Sequence, residues 1–240
     1  MACPHRDRQP QPLALFNGQR RNSLSKAGQR ESLLRRLSSA GESPDWRTIP
    51  PVIPLQSRYA LKEWACVVQA LREGRQIILL RKGGIHEPHG EFRAAHPEFF
   101  LAPAREHQKA ELLKPEAASR YARLFDPVEA TTNVQLDAFA RLEAAIPLDD
   151  PHKAFRLADE HAWTDEYVRM RVGYKPEKPL FVLALRVFAL ESPVILPWTE
   201  SYAGCRSWFE LPEAVEARTV GPVISDEEFI DAMNRVRARI

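Results

Sequence analysis

Arg81, Lys82, Gly83 and Gly84 are the residues whose types and spacing are best suited to bind an anion. Successive backbone N–H groups at glycines can form a concave nest for an anion, and two cations stand immediately before this pair. The order of a Walker phosphate loop is absent there, so nucleotide hydrolysis has little support. Two interpretations remain, an anion or phosphate site and a strand that ends in a glycine turn with its charges in solvent.

The stretch that follows the glycines is rich in histidine and glutamate. His86, His89 and Glu91 are of types that bind zinc, manganese or iron. Pro88 excludes the rigid helical spacing of an HExxH metal motif. We therefore assign no metal site and no cofactor from the sequence, and keep these three residues as candidate ligands beside the interpretation of a solvated polar loop.

His107 and Gln108 follow a predicted strand and a proline. The imidazole of His107 could act as a general base or bind the edge of a nucleobase, and a structural hydrogen bond is the alternative. Cys205 could act as a nucleophile if His107 lay near it, and a small buried thiol is the alternative. His107 and Cys205 are thus the candidate catalytic residues, and the sequence does not decide whether the protein is an enzyme.

Three further residues are binding candidates. Arg186 interrupts an apolar strand, so its guanidinium must reach the sheet edge, a ligand, or a carboxylate such as Glu63 or Glu91. Tyr202 and Trp208 flank a turn that contains glycine and cysteine. An indole there could stack on a base or pack in the core.

The composition is that of an ordinary globular protein. Of its 240 residues, 44% are apolar and 28% are charged, which is typical of one domain or two small ones. No apolar run is long enough to cross a membrane, and residues 1–7 lack the apolar centre of a secretory signal, so we expect a cytoplasmic protein. Three scattered cysteines without a CxxC pair indicate reduced thiols.

Residues 1–56 differ in composition from the rest of the chain. They contain nine Lys or Arg and four Asp or Glu, together with Gln, Ser and Pro. This composition predicts a disordered basic tail and a proline-rich linker. The rest of the chain holds 25 basic and 28 acidic residues, so a strongly basic nucleic-acid-binding domain is not indicated. The tail could bind nucleic acid or a protein partner, or only improve solubility.

We expect the folded part to be a single domain of residues 57–240. Hydrophobic spacing predicts strands at residues 64–71, 77–82, 99–101, 180–190 and 206–211. The first two are predicted to form an antiparallel hairpin, and the last two to pair with each other.

Helices are predicted at residues 115–124 and 133–146, after Asp150, after Trp163, and from a capping box at Ser225. The order of these elements favours an α+β fold with a central, largely antiparallel sheet flanked by helices.

Four short blocks together resemble a bacterial family, the domain of unknown function 1802 family. They are ALKEWA at residues 60–65, LRKGGI at 80–85, EHQ at 106–108 and YAGCRSW at 202–208. The resemblance covers most of residues 57–211. It implies no known activity, and it implies an association with restriction-endonuclease-like domains and hence with restriction-modification.

The leading hypothesis is an accessory module that binds nucleic acid or a nucleotide-like anion. In this hypothesis Arg81, Lys82 and the glycine turn hold phosphate, while Trp208 and the amide of Gln108 meet a base. One alternative is an enzyme, either a metal-dependent phosphodiesterase or nuclease or a Cys–His hydrolase. The other is a structural interaction module whose tail binds a partner. The leading hypothesis requires that the cationic strand end and His107 share one cavity.

Overall fold

The computed structural model describes residues 55–82, 96–126, 132–202 and 207–240. The tail predicted at residues 1–56 lies, except for its last two residues, outside this part of the chain. None of the helices described is long and apolar enough to span a lipid bilayer. The first strand begins at Leu55, two residues before the predicted start of the folded part.

The described residues contain seven strands of one sheet and four α-helices. The strands are β1 (Leu55–Trp64), β2 (Ile78–Arg81), β3 (Glu98–Ala104), β4 (Asn133–Pro147), β5 (Phe181–Pro197), β6 (Trp208–Ala217) and β7 (Thr219–Pro222). The α-helices are α1 (Ala65–Arg72), α2 (Pro115–Arg120), α3 (Asp165–Gly173) and α4 (Asp226–Arg239). Short 3₁₀ helices span Ala110–Leu112, Ala122–Phe125, Pro151–Glu160 and Glu200–Tyr202. The predicted α+β class, a sheet flanked by helices, is confirmed.

The sheet is largely antiparallel and closes on itself. Strands β1 and β3 pair in parallel, and the other described pairs are antiparallel. Strand β6 pairs with β1, whereas β7, which follows after Arg218, pairs with β5. The path β5-β4-β3-β1-β6 therefore returns to β5 through β7, and these strands enclose a barrel.

Alternation along the strands sorts the apolar side chains into two clusters, because successive residues point to opposite faces. One cluster fills the barrel with residues from its strands: Leu55, Ala60, Phe100, Ala102, Leu136, Phe139, Phe188, Leu190, Phe209 and Leu211. Neighbours such as Leu61 and Phe99 point outward into a larger cluster, where α1, α3 and α4 pack. The barrel is therefore a packed core, and the helices cover its outer face.

The strand predicted at residues 64–71 is wrong. Trp64 ends β1, and Ala65 begins α1, six of whose eight residues are buried. A short apolar run that is covered on all sides has the same pattern in a helix and in a buried strand, so hydrophobic spacing does not separate the two. The predicted hairpin is wrong as well, since β2 pairs with β5.

The helix predicted at residues 133–146 is also wrong, because this segment is β4. The register with β5 shifts between Leu136 and Ala138 and again between Leu142 and Ala144. Each irregularity breaks the alternation of a strand, and the resulting spacing of apolar residues resembles that of a helix. The pairing predicted for residues 206–211 is wrong too, since β6 lies against β1.

The strands predicted from apolar runs and the helices predicted from capping residues are confirmed. The predicted strands at residues 77–82, 99–101 and 180–190 correspond to β2, β3 and β5. Asp150 and Thr164 cap the helices that follow them, and Ser225 forms a capping box with Glu228. The predicted helix at residues 115–124 is α2 followed by a 3₁₀ turn.

Gly74, in the turn after α1, offers a test of local packing. Its φ is +68°, and an added Cβ would lie 2.4 Å from Cγ2 of Ile224. We expect Gly74→Ala to lower the free energy of unfolding by about 1–3 kcal/mol, because alanine disfavours this backbone conformation and collides with Ile224. Gly173→Ala is the control, since nothing lies within 4 Å of a Cβ there. Equal urea midpoints for the two variants would contradict the prediction.

Candidate anion-binding site

The side chain of Arg81 crosses from β2 to the barrel. Its Nη2 donates to Oε2 of Glu63 at 2.9 Å and to the backbone carbonyl of Lys62 at 2.6 Å. Its Nη1 donates to Oγ of Ser207 at 3.3 Å. The side chains of Arg81 and Glu63 are 11% and 5% exposed. This nearly buried ion pair holds the end of β2 against β1 and the start of β6.

Lys82 is buried next to the pair. Its Nζ donates to the backbone carbonyl of Val172 at 2.5 Å. Val172 lies in the last turn of α3, where backbone carbonyls lack partners within the helix and a cation is favoured by the helix dipole. The interpretation that the charges of Arg81 and Lys82 lie in solvent is therefore wrong.

Helix α3 adds a third cation, Arg171. Its Nε donates to Oη of Tyr167 at 2.9 Å, and its Cζ lies 5.1 Å from the centroid of the Tyr167 ring. Burial by itself lowers the pKa of Arg171, but the Tyr167 oxygen and the Glu63 carboxylate outweigh burial, and the pKa is raised. Within the described part of the chain, the two terminal nitrogens of Arg171 have no hydrogen-bond partner.

The carboxylate of Glu63 acts on the neutral groups around it. Burial and, next, the charge of Glu63 raise the pKa of the Tyr167 phenol to about 12. The same two causes raise the pKa of the Cys66 thiol to about 12. Both groups are therefore protonated at neutral pH, and Cys66 is a packing residue and not a nucleophile.

Counted over the described residues, the charges of this cluster do not balance. Arg81, Lys82 and Arg171 are all buried or half-buried, and among the described residues Glu63 is the one carboxylate that pairs with any of them. Removing a cation from water without a compensating anion costs free energy. Within the described part of the chain, an anion beside the terminal nitrogens of Arg171 would compensate this surplus of positive charge.

His107 and Gln108 lie beyond the end of β3. His107 is exposed with a φ of +64°. The side-chain amide of Gln108 donates to the backbone carbonyl of Leu124 at 2.5 Å. This hydrogen bond engages the Gln108 amide, whereas the two interpretations of the His107 imidazole stay predictions. No contact between described residues joins either residue to Arg81, and the shared cavity stays a prediction.

Arg186 ties β5 to the start of α4. It donates to the side chain of Asp226 and, at 3.1 Å, to the backbone carbonyl of Ser225. Its Cζ lies 4.8 Å from the ring centroid of Phe229. Of the two candidate partners, Glu63 is paired with Arg81 instead, and Glu91 lies outside the described residues. These contacts are those of a structural ion pair, which is the simpler of the two interpretations of Arg186.

Tyr202 and Trp208 occupy different surroundings. Tyr202 is buried in the barrel cluster, with its ring centroid 4.4 Å from that of Phe209. Trp208 is half-buried and meets Phe99 edge to face at 4.8 Å and His96 at 5.2 Å. Both rings pack against protein, and stacking of Trp208 on a base stays a prediction.

Several predicted site residues lie outside the described part of the chain: Gly83, Gly84, His86, His89, Glu91 and Cys205. In the part that is described, no group of three His, Cys, Asp or Glu side chains could hold a metal ion. The sequence reasoning missed Tyr167 and Arg171. Their spacing of four residues in a correctly predicted helix is the signal that could have found them.

Three crystal structures of one protein resemble this chain. ASCH from Zymomonas mobilis has a TM-score of 0.38 and 12% identity, and the match covers 73% of this chain and 92% of that one. A point mutant of that protein gives a TM-score of 0.38 with 12% identity over 73% and 96% of the two chains. A second mutant gives 0.36 with 14% identity over 76% and 98%.

No curated protein matches the sequence. A family model described as "Domain of unknown function (DUF1802)" matches residues 60–235. That span holds the barrel strands from Ala60 onward, the Arg81–Glu63 pair and all of α3. The chain belongs to the DUF1802 family.

Proposed function

We propose that this protein is an accessory module that binds nucleic acid or a nucleotide-like anion at the cluster of Arg81, Lys82 and Arg171. The observation that supports the proposal is that three buried or half-buried cations lie together and that, among the described residues, Glu63 is the one carboxylate paired with any of them. An anionic ligand at the terminal nitrogens of Arg171 would compensate this charge. The rest of the cluster already has protein partners that hold it in place.

The geometry around Arg171 supports phosphate as the group that is bound. A guanidinium presents its N–H groups in a planar fork, which matches two oxygens of one phosphate. Tyr167 occupies Nε and one face of the guanidinium, so the outer edge of the fork is the part that remains for a ligand. Glu63 holds Arg81 nearby, and Lys82 adds charge without leaving the end of α3.

The test compares two charge-neutralising variants for binding of a labelled single-stranded oligonucleotide. We expect Arg171→Gln to weaken binding roughly tenfold and to reduce the slope of log K against log salt by about 0.7, because one phosphate contact with a single strand is lost. Fluorescence anisotropy over a salt series measures both quantities. Unchanged affinity and slope in Arg171→Gln would overturn the proposal.

Arg218→Gln is the matched control. Arg218 is exposed and precedes Thr219, which pairs with Leu190 in the middle of β5, whereas Arg81 pairs with Phe181, the first residue of that strand. Nine residues of strand separate these positions by roughly 30 Å. The control changes the net charge equally, so binding that depends on bulk charge alone would weaken in both variants.

The finer parts of the hypothesis stay predictions. They are the restriction-modification setting, a single domain of residues 57–240, a cytoplasmic location and a protein partner for residues 1–56. The metal-dependent and Cys–His enzyme alternatives depend on residues outside the described part of the chain.

A further inference from the structure

We infer that the ligand of this site is single-stranded nucleic acid and that one of its bases stacks on Tyr174. This inference rests on the proposed function and adds a surface for the base to the site for the phosphate. Tyr174 follows α3 directly, and 49% of it is exposed. An exposed aromatic ring beside a cluster of cations has the two properties that binding of a single strand needs.

Tyr174 is close enough to Arg171 to act with it. The two residues lie within one turn of the end of α3, and the backbone N–H of Tyr174 donates to the carbonyl of Met170 at 3.0 Å. The Tyr174 oxygen is one of the groups that raise the pKa of Arg171. A nucleotide whose phosphate meets Arg171 would therefore have its base near the Tyr174 ring.

Lys175 completes this surface. Its φ of +46° is in the left-handed region, which a helix end usually fills with glycine. This conformation accompanies a contact in which Nζ lies 5.2 Å from the centroid of the Tyr174 ring. A cation over the ring can bind the phosphate of a neighbouring nucleotide, while the rest of the exposed ring stacks on a base.

The surrounding sequence has the matching charge and apolar character. Residues 169–178 contain four Lys or Arg and one Glu. Met170, in the last turn of α3, is 52% exposed and adds exposed apolar surface to this end of the helix. Bases in a duplex are stacked on each other and are not free to stack on a side chain, so this combination favours a single strand.

The experiment compares two polyanions that differ in the presence of bases. One is an oligothymidylate of about twelve nucleotides, and the other is polyphosphate of similar charge. We expect Tyr174→Ala to weaken oligothymidylate binding roughly tenfold and to leave polyphosphate binding unchanged, because only the first probe can stack. Tyr174→Phe keeps the ring and should bind both probes as the unmodified protein does. Arg171→Gln should weaken both.

The outcomes separate this inference from the proposed function. Equal effects of Tyr174→Ala on both probes, or no effect on either, would overturn the inference and leave the anion site standing. Equal affinity for a duplex and a single strand would also overturn it. Unchanged binding of both probes by Arg171→Gln would overturn the proposed function itself. Unfolding curves of each variant show whether the fold is retained.

Discussion

Replacing Glu63 with alanine is expected to lower the free energy of unfolding by about 3–5 kcal/mol. The variant leaves the guanidinium of Arg81, 11% exposed, without its carboxylate in a site that water does not reach freely. The hydrogen bonds from Arg81 to Lys62 and Ser207 remain, but neither partner carries a compensating charge at the acceptor atom. Urea unfolding followed by tryptophan fluorescence measures the change.

Two further variants test whether the destabilisation of Glu63→Ala is caused by the buried charge of Arg81. Arg58 and Glu210 form an ion pair of the same 2.9 Å length, but their side chains are 47% and 54% exposed. Glu210→Ala should therefore cost less than about 1 kcal/mol. Replacing Glu63 and Arg81 together with methionine should recover much of the loss, because neither charge is then left buried alone. A Glu63→Ala variant as stable as Glu210→Ala would contradict the prediction.

The second large effect is a loss of stability in mild acid, which His161 should cause. His161 is 4% exposed, and neither of its ring nitrogens has a hydrogen-bond partner among the described residues. Burial and, next, the charge of Lys114 lower its pKa to about 4. An unfolded histidine titrates near pH 6.5, so the unfolded state binds the proton more tightly. Stability is therefore full above pH 6.5 and falls as the pH is lowered towards 4.

Linkage gives the size of this effect as about 2 kcal/mol between pH 7 and pH 5, and about 3 kcal/mol once the pH is below 4. Urea unfolding at several pH values measures it. Glu73, Glu228 and Asp149 have lowered pKa values, so their contributions to stability are lost at a lower pH than this range. A change in stability between pH 7 and pH 5 therefore reports on His161.

His161→Leu is the control for this prediction. Leucine cannot take up a proton, and the substitution removes no hydrogen bond that the described residues make. The variant should keep most of its stability between pH 7 and pH 5. Burial also lowers the pKa of His96, so a smaller dependence of stability on pH remains in both proteins. Equal slopes for the variant and the unmodified protein would show that His161 does not titrate as expected.

Local signals explain which elements could be predicted. Ser225 caps α4 through a hydrogen bond to a residue three positions later, and Thr164 caps α3 in the same way. Such contacts form between neighbours in sequence, so residue types alone reveal them. Strand β5 was found because its first half is a long run of buried apolar residues.

Other elements depend on what surrounds them. Residues 64–71 divide between β1 and α1, although the apolar run reads continuously. The bulges of β4 are visible only in its register with β5. In both cases the decisive contacts are made with distant parts of the chain, which hydrophobic spacing does not report.

From its residue types alone the chain revealed an α+β protein, the starts of its capped helices, and Arg81 and Lys82 as cations suited to an anion. Only the tertiary structure decided that the sheet closes into a barrel and that these cations are buried. Lys82 donates to the carbonyl of Val172 at the end of α3, 90 residues later in the sequence. Such long-range contacts depend on strand pairing and helix packing, in which each contact is favourable only once many others have formed. The charge balance of the site therefore becomes apparent only in the folded protein.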